Sequence, residues 1–336
     1  MIRLGILGCG AITRGRHIVS ALAHPDIDLS ALVDADTQRA SKLRDQHGLK
    51  CRIGRDHHEI LGNVDAVLNA LPNYLHGPIN LELLEAGIHV LSEKPLAISS
   101  ADARSCAAAA MRMGVTLAVG MPWRLRQSSR ILSLLLENQE LGKFHDYTWD
   151  YGMPFDWPAA SNYFLSRKQA GGGVLLDEGI HLLDCVLSWF GDVVEFDCQT
   201  DDWGGGLEAN VILSLRHRQD NSEVEGHVRL SRTYNLKNRL FVAAEKAYLE
   251  VRRSNPDCLF LTRRIGERPI EAALSFPKEH RPALSDPFIA ELDDFVQAIQ
   301  KKQAPLVDGW KAAKTIDLIE RCYATAKRIP EPWGQG

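Results

Sequence analysis

The sequence predicts an α/β protein: a doubly wound parallel sheet over residues 1–121, then an α+β domain with a mostly antiparallel, open-faced sheet over residues 122–336. Three observations predict it. The apolar run Ile2-Arg3-Leu4-Gly5-Ile6-Leu7 passes at once into the glycine-rich turn Gly8-Cys9-Gly10-Ala11-Ile12-Thr13. Strand and helix patterns then alternate through the first third of the chain, as a parallel sheet with crossover helices requires. Past Met121 the alternation stops, and strand-like runs follow one another without helices between them, which implies antiparallel neighbours.

The opening is the most specific element. Gly8 lets the chain turn tightly out of the first strand, and Gly10 has no side chain to keep backbone away from a pyrophosphate. The helix that starts at Ala11 and Ile12 offers N–H groups and the positive end of its dipole to that phosphate. A second strand, Leu29-Ser30-Ala31-Leu32-Val33, ends in Asp34, at the spacing where an acid that binds the ribose hydroxyls belongs. Together these form a Rossmann dinucleotide fingerprint. Thr13 stands where Gly or Ala is usual, which predicts a small outward shift of the helix.

Further along, Thr37 to His47 reads as an amphipathic helix capped by Thr37, and Asp65 to Leu71 as a buried strand broken by Pro72-Asn73. Leu75 to Ala86 reads as a helix closed by Gly87, and His89 to Ser92 as a strand running into Glu93-Lys94-Pro95. Ser99 to Met113 is an alanine-rich helix closed by Gly114, and Thr116 to Val119 is the last strand of an expected six. Ligands of such sheets sit at the carboxyl ends of the strands. That rule puts Gly8, Asp34, Leu71-Pro72-Asn73 and Glu93-Lys94 on one rim.

In the second half, residues 143–151, 193–200, 207–216, 223–232, 239–244 and 247–253 read as strands, and two helices follow, from Asp286 to about Lys302 and from Asp308 to about Lys327. Before most of that sheet comes Gly171-Gly172-Gly173-Val174-Leu175-Leu176-Asp177-Glu178-Gly179-Ile180-His181-Leu182-Leu183-Asp184. As a helix it carries Leu176, Ile180, Leu183 and Leu187 on one stripe, and Asp177, His181 and Asp184 beside it at i, i+4 and i+7. A carboxylate one turn from an imidazole orients it and raises its basicity, as a general base needs; the residues alone equally allow a capped helix with a satisfied core histidine. Asp and His are also metal ligands, but with no further His or Cys cluster no metal is expected. Trp157, Asn162 and Tyr163 lie in the loop before the glycine triplet, where aromatics either stack on a sugar face or close a core edge. Asp56-His57-His58-Glu59 reads as a solvated helix start, and Gly204-Gly205-Gly206 as a loop.

Composition narrows the function classes. Hydrophobic residues make up 45% and charged residues 24%, and the net charge is −4, so nothing suggests a nucleic-acid or anionic-membrane partner. Arg252-Arg253 and Arg263-Arg264 read as a solvated strand face. No apolar run approaches membrane-spanning length, and a chain that opens on a core strand is expected to lack a cleaved signal. Seven cysteines without a CxxC pair suggest reduced thiols and a cytoplasmic location.

The glycine fingerprint, the Glu93-Lys94-Pro95 tripeptide and the GGGxxxDxGxHxxD segment together resemble the glucose–fructose oxidoreductase / inositol dehydrogenase / rhizopine-catabolism (Gfo/Idh/MocA) family. The resemblance covers nearly the whole chain. It takes in Ala70-Leu71-Pro72-Asn73-Tyr74-Leu75-His76 and Glu291-Leu292-Asp293-Asp294-Phe295-Val296-Gln297-Ala298-Ile299. It implies that Lys94 contacts the substrate hydroxyl, that His181 is the general base, and that Asp177 binds substrate or supports the base. It also implies a homodimer or homotetramer formed through the second sheet, for which Val211, Leu213, Leu215, Val228 and Leu230 would supply an open face unless a helix of the same chain covers them.

The expected cofactor set is Gly8, Gly10, Ala11, Ile12, Asp34, Leu71, Pro72, Asn73, His76, Glu93 and Lys94. The expected substrate set is Lys94, Trp157, Asn162, Tyr163, Asp177 and His181. NAD is expected over NADP, because Asp34 and Asp36 would repel a 2′-phosphate while Arg39 faces solvent. The implied activity is NAD-dependent hydride transfer at a ring alcohol or ketone of a sugar, sugar derivative or cyclitol. The alternatives are a tightly held, recycled NAD(P), and a non-catalytic dinucleotide sensor.

Overall fold

A computed structural model describes residues 1–156, 162–202, 207–219, 222–277 and 286–329. Along the chain the elements run β1 (Ile2–Leu7), α1 (Ile18–Ala23), β2 (Ile27–Val33), α2 (Thr37–Gln46), β3 (Arg52–Gly54), β4 (Ala66–Asn69), α3 (Asn73–Glu85), β5 (His89–Ser92), α4 (Ser100–Met113) and β6 (Leu117–Val119). They continue with α5 (Gln127–Glu137), β7 (Phe144–Gly152), α6 (Arg167–Ala170), α7 (Ile180–Phe190), β8 (Asp192–Thr200), β9 (Asn210–Gln219), β10 (Ser222–Ser231), β11 (Arg239–Ala244), β12 (Tyr248–Arg252), β13 (Asn255–Ile265), β14 (Arg268–Leu274), α8 (Pro287–Lys301), α9 (Gly309–Thr325) and β15 (Lys327–Arg328). These form two compact units. One holds residues 1–122, 162–171 and 286–317; the other holds the rest of the described chain.

In the first unit six parallel strands lie in the order β3-β2-β1-β4-β5-β6. The order reverses between β1 and β4, so a crevice opens at their carboxyl ends. Strands covered on both faces need mostly apolar residues, and all four residues of β4 are buried and all but Asn69 are apolar. The strand missing from the sequence reading is β3, which is only Arg52-Ile53-Gly54 and too short to show a period. The cap of α2 is Asp36, not Thr37: the Asp36 carboxylate accepts from the N–H groups of Gln38 and Arg39, a contribution of about 1 kcal/mol. Ser99 and Gly114 bound α4 as expected, the latter with φ of 67°. From α8, Leu292, Phe295 and Val296 join Leu4, Ile6, Leu91 and Ala118 in one core.

In the second unit nine strands lie in the order β14-β13-β12-β11-β7-β10-β9-β8-β15. Pairing is antiparallel except between β7 and β10 and between β8 and β15. The alternation read in residues 224–230 is real: Val224, Gly226, Val228 and Leu230 are buried, while Glu225 and His227 are exposed. The strand ranges expected from the sequence end at residue 253, so β13 and β14 lie beyond them; the residues of β14 are nearly all exposed and carry no apolar period. Arg263 and Arg264 do lie on a solvated strand, β13.

The expected open apolar face is corrected. Val211, Leu213, Leu215, Val228 and Leu230 are all buried, on the face that packs against α7 and the turn before it. The same alternation that buries them turns charged side chains outward. There Arg229 makes a two-pronged bond to Asp150 at 2.6 and 2.7 Å, and Arg216 pairs with Glu195 at 2.8 Å. All seven cysteines are free. No helix among the described residues is long and apolar enough to cross a membrane.

Candidate active site

In the first unit the dinucleotide turn has the geometry its glycines predict. Gly8 sits at φ of 87°, and a Cβ there would lie 2.5 Å from the Ala70 carbonyl oxygen at the end of β4. A Cβ at Gly10 would meet nothing within 4 Å, so the chain leaves the space above it open, as close approach of a pyrophosphate requires. Helical backbone begins at Ala11 and Ile12. Thr13 is buried, its hydroxyl donates to the Gly8 carbonyl at 2.6 Å, and the helix takes a wide π turn over Thr13–His17 at that point.

Asp34 follows β2, as expected, with a buried carboxylate that accepts from Cys9 N–H at 2.8 Å and Asp36 N–H at 2.9 Å. Arg39, although its side chain stays 35% exposed, turns back onto Asp34 rather than pointing only to solvent. Its Nη1 donates to both Asp34 oxygens at 3.0 and 3.1 Å, and Nη2 lies 3.4 Å from Asp36. A buried carboxylate with a guanidinium in reach draws it in, because the charged hydrogen bonds offset part of the cost of burying Asp34.

The rest of the rim is cross-braced. Asn69 donates to Asn80 at 2.9 Å, Asn80 to the Ser92 hydroxyl at 2.9 Å, and Ser92 to the Glu93 carbonyl at 2.9 Å. The buried His76 ring meets the Leu71 carbonyl at 2.6 Å and the Pro95 carbonyl at 2.7 Å, so it ties the Leu71-Pro72 segment to the Glu93-Lys94-Pro95 corner. Burial pushes its pKa below the usual imidazole value. Asn73 donates to the Ala170 carbonyl at 2.8 Å. Asn162 and Tyr163 lie on a 3₁₀ turn, Asn162–Leu165, of the same unit. Trp157 lies outside the described residues.

The second unit carries the Asp177–His181 segment, and it is not one α-helix. Leu175–Gly179 forms a π turn, and α7 starts at Ile180. Glu208, 2% exposed, holds the start of this segment. Its carboxylate accepts from Gly173 N–H at 2.9 Å, Leu175 N–H at 2.9 Å and the Tyr323 hydroxyl at 2.8 Å. A Cβ at Gly173 would lie 2.1 Å from the Glu208 carbonyl oxygen, which explains a glycine at that place.

Asp177 is paired with Arg232, whose guanidinium lies 5.1 Å over the Phe155 ring. Asp184 is buried beside Arg124 at 3.4 Å. His181, 7% exposed, stacks on Trp123 with ring centroids 5.2 Å apart. Tyr151 meets Trp123 edge-on at 5.0 Å. Burial, with the nearby carboxylates of Glu178 and Asp177, pushes the Tyr151 phenol up to about 12, so it is a hydrogen-bond donor at neutral pH.

Arg232, Trp123, Tyr151 and Glu208 escaped the sequence reading, since no local motif marks them. In the other unit Asp56 starts a short helical turn, as expected, here a 3₁₀ turn with a full capping box, but His57 is not solvated: it is buried against Glu82 at 2.8 Å. Asp56, His57 and His58 are close enough together to hold a metal ion, yet Asp56 is already spent on the His58 N–H and ring.

Two family models match in tandem. That of an oxidoreductase family with an NAD-binding Rossmann fold covers residues 2–121, and that of the GFO/IDH/MocA C-terminal domain covers residues 130–250. The chain belongs to the Gfo/Idh/MocA family. It is therefore an NAD(P)-dependent oxidoreductase. It is 27% identical to dTDP-3,4-didehydro-2,6-dideoxy-alpha-D-glucose 3-reductase of Streptomyces antibioticus, over 97% of each chain. It is 29% identical to glucose-6-phosphate 3-dehydrogenase of Bacillus subtilis, over 72% of this chain and 66% of that one.

Two solved structures share the fold. Levoglucosan dehydrogenase in complex with NADH and levoglucosan matches with a TM-score of 0.83 at 18% identity, over 96% of this chain and 97% of that one. A 3-ketoreductase of Actinomadura kijaniata in complex with NADP and TDP-benzene matches with a TM-score of 0.83 at 20% identity, over 98% of this chain and 99% of that one.

Proposed function

We propose that the protein moves a hydride between the nicotinamide of NAD(P) and a ring alcohol or ketone of a pyranose sugar, with C3 as the reacting carbon. The observation that carries this reading is the single rim of the first unit, where a dinucleotide cradle and the Glu93-Lys94-Pro95 corner lie at neighbouring strand ends. The C3 assignment is supported by the two curated relatives, both named for chemistry at that position.

When bound, the nicotinamide supplies the hydride acceptor or donor. The chain supplies everything else. Lys94 offers a cation to the oxygen that becomes alkoxide, and His181 takes the hydroxyl proton during oxidation or returns it during reduction. Asp177, fixed by Arg232, holds a sugar hydroxyl or the base, and the Trp123–Tyr151 wall shields the reacting carbon from water. Asn162, Tyr163 and Trp157 contribute to the sugar side.

NAD is the preferred cofactor in this reading, because Asp34 accepts from ribose hydroxyls and opposes a 2′-phosphate. Arg39 offsets part of that opposition, so the preference is of the order of tenfold, or about 1.4 kcal/mol, and no larger. The assembly is a homodimer or homotetramer through the outer, charged face of the second sheet.

The test is a screen of hexoses, hexosides and sugar phosphates for NAD reduction, with the product's keto position read by NMR. Lys94→Ala and His181→Ala should each lower kcat by about 10²–10⁴ while NADH still binds. The double variant should be little worse than the poorer single. His181→Ala should also flatten the acid limb of the pH–rate profile. Full turnover in either single variant overturns the assignment, and a single burst without net NADH would show a recycled cofactor instead.

A further inference from the structure

Glu291, in the second turn of α8, is a carboxyl for which the reaction above has no use. It is 5% exposed, and its Oε2 has no hydrogen-bond partner among the described residues. A charge left so is costly. The chain nevertheless makes room for it. A Cβ at Gly120, just after β6, would come 3.3 Å from Oε1 and 3.5 Å from Oε2, and the Ser92 carbonyl lies 3.5 Å from the same point. The carboxyl is thus lodged at the carboxyl ends of β5 and β6, behind the Glu93-Lys94-Pro95 corner.

Two carboxylates face Glu291. Glu93 faces it from the end of β5, and Asp294 from its own helix. Asp294 accepts from Leu306 N–H at 2.8 Å. Glu93 meets His17 Nε2 at 2.7 Å, with both side chains mostly buried, and accepts from Lys94 N–H at 3.2 Å. Elsewhere on these helices His24 lies 3.4 Å from Asp293 and Arg16 lies 3.6 Å from Asp286.

We propose that Glu291 is a positioning residue of this corner: a neutral carboxylic acid that keeps a proton behind Glu93, so that it adds no charge against Glu93, which stays directed at His17 and the Lys94 backbone. Burial, and the facing carboxylates of Glu93 and Asp294, push the Glu291 carboxyl far above its usual range, in the same sense. Were Glu291 ionised, it would repel Glu93 and drive the corner, and Lys94 with it, away from the rim. The effect on catalysis rests on Lys94 serving the substrate; the proton on Glu291 does not.

Infrared spectroscopy of the whole protein reads that proton directly. At neutral pH the wild type should show a carboxylic-acid C=O band that disappears at high pH and is missing from Glu291→Gln. Glutamine keeps the shape and the neutrality, so kcat should stay within about threefold at pH 7 with NADH affinity unchanged. The wild-type kcat should fall as pH rises through the loss of the band, and Glu291→Gln should lack that alkaline limb. Absence of the band at neutral pH overturns the proposal, as does a hundredfold loss of kcat in Glu291→Gln or an unaltered alkaline limb. A band that behaves as described in a protein where Lys94→Ala is fully active would sink the catalytic reading instead, and leave the buried acid standing.

Discussion

Removing the Glu208 carboxylate should disable the second unit more than any other single polar change described above. Glu208→Ala leaves three donors, Gly173 N–H, Leu175 N–H and the Tyr323 hydroxyl, facing a buried gap. Each unsatisfied donor costs about 1–3 kcal/mol, and water entering the gap recovers part, so the net loss is about 3–5 kcal/mol. Glu208→Gln is milder. Its amide oxygen serves Leu175 and Tyr323 as Oε1 does now, but its NH₂ meets Gly173 N–H donor to donor, for a loss of about 1–2 kcal/mol. In a unit of this size each kcal/mol moves Tm by about 2–4 °C, so differential scanning calorimetry should show a drop of roughly 6–20 °C for alanine and 2–8 °C for glutamine.

Burial raises the Glu208 pKa above 4.5, against its hydrogen bonds. A raised folded-state pKa gives stability that is complete below the unfolded value and is lost as pH climbs through the folded one. Glutamine does not titrate, so the gap between wild type and Glu208→Gln should be widest near pH 4 and narrow towards pH 8. Because Glu208 fixes the start of the Leu175–Gly179 turn, kcat should fall while NADH affinity holds. A Glu208→Ala protein melting within about 1 °C of wild type would refute the reasoning.

Gly8→Ala and Gly10→Ala should separate folding from binding. The first drives a Cβ into the Ala70 carbonyl at φ of 87° and should lower both Tm and NADH affinity; the second meets no protein atom, so Tm should hold while NADH affinity, by fluorescence titration, falls at least about tenfold. Arg39→Ala leaves Asp34 without its guanidinium and should weaken NADPH binding about tenfold or more, with NADH changed less than about threefold. Unchanged NADPH affinity would mean that Arg39 never reaches the 2′-phosphate.

The legible parts of this chain are those whose cause is local. Gly8 must be glycine because of its own φ, Ser99 and Gly114 bound a helix by the backbone beside them, and β4 and β6 announce themselves by unbroken burial. The cap of α2 lies one residue before the expected one because Asp36 and Thr37 are both good caps, and only the backbone direction decides between them. Arg39 departs from expectation for a different reason. Helical phase fixes where its Cα points, but the side chain is long enough to return to Asp34, and a buried carboxylate outweighs water for it.

The residues missed altogether act over long separations. Arg232 reaches Asp177 across 55 positions, Glu208 reaches Gly173 across 35, and Tyr323 reaches Glu208 across 115. A motif such as GGGxxxDxGxHxxD therefore names the groups that face a ligand and is silent about those that hold them. Glu291 shows how far that silence extends: it lies inside a recognisable segment, yet its meaning comes from Gly120 and Glu93, which only the fold brings to it.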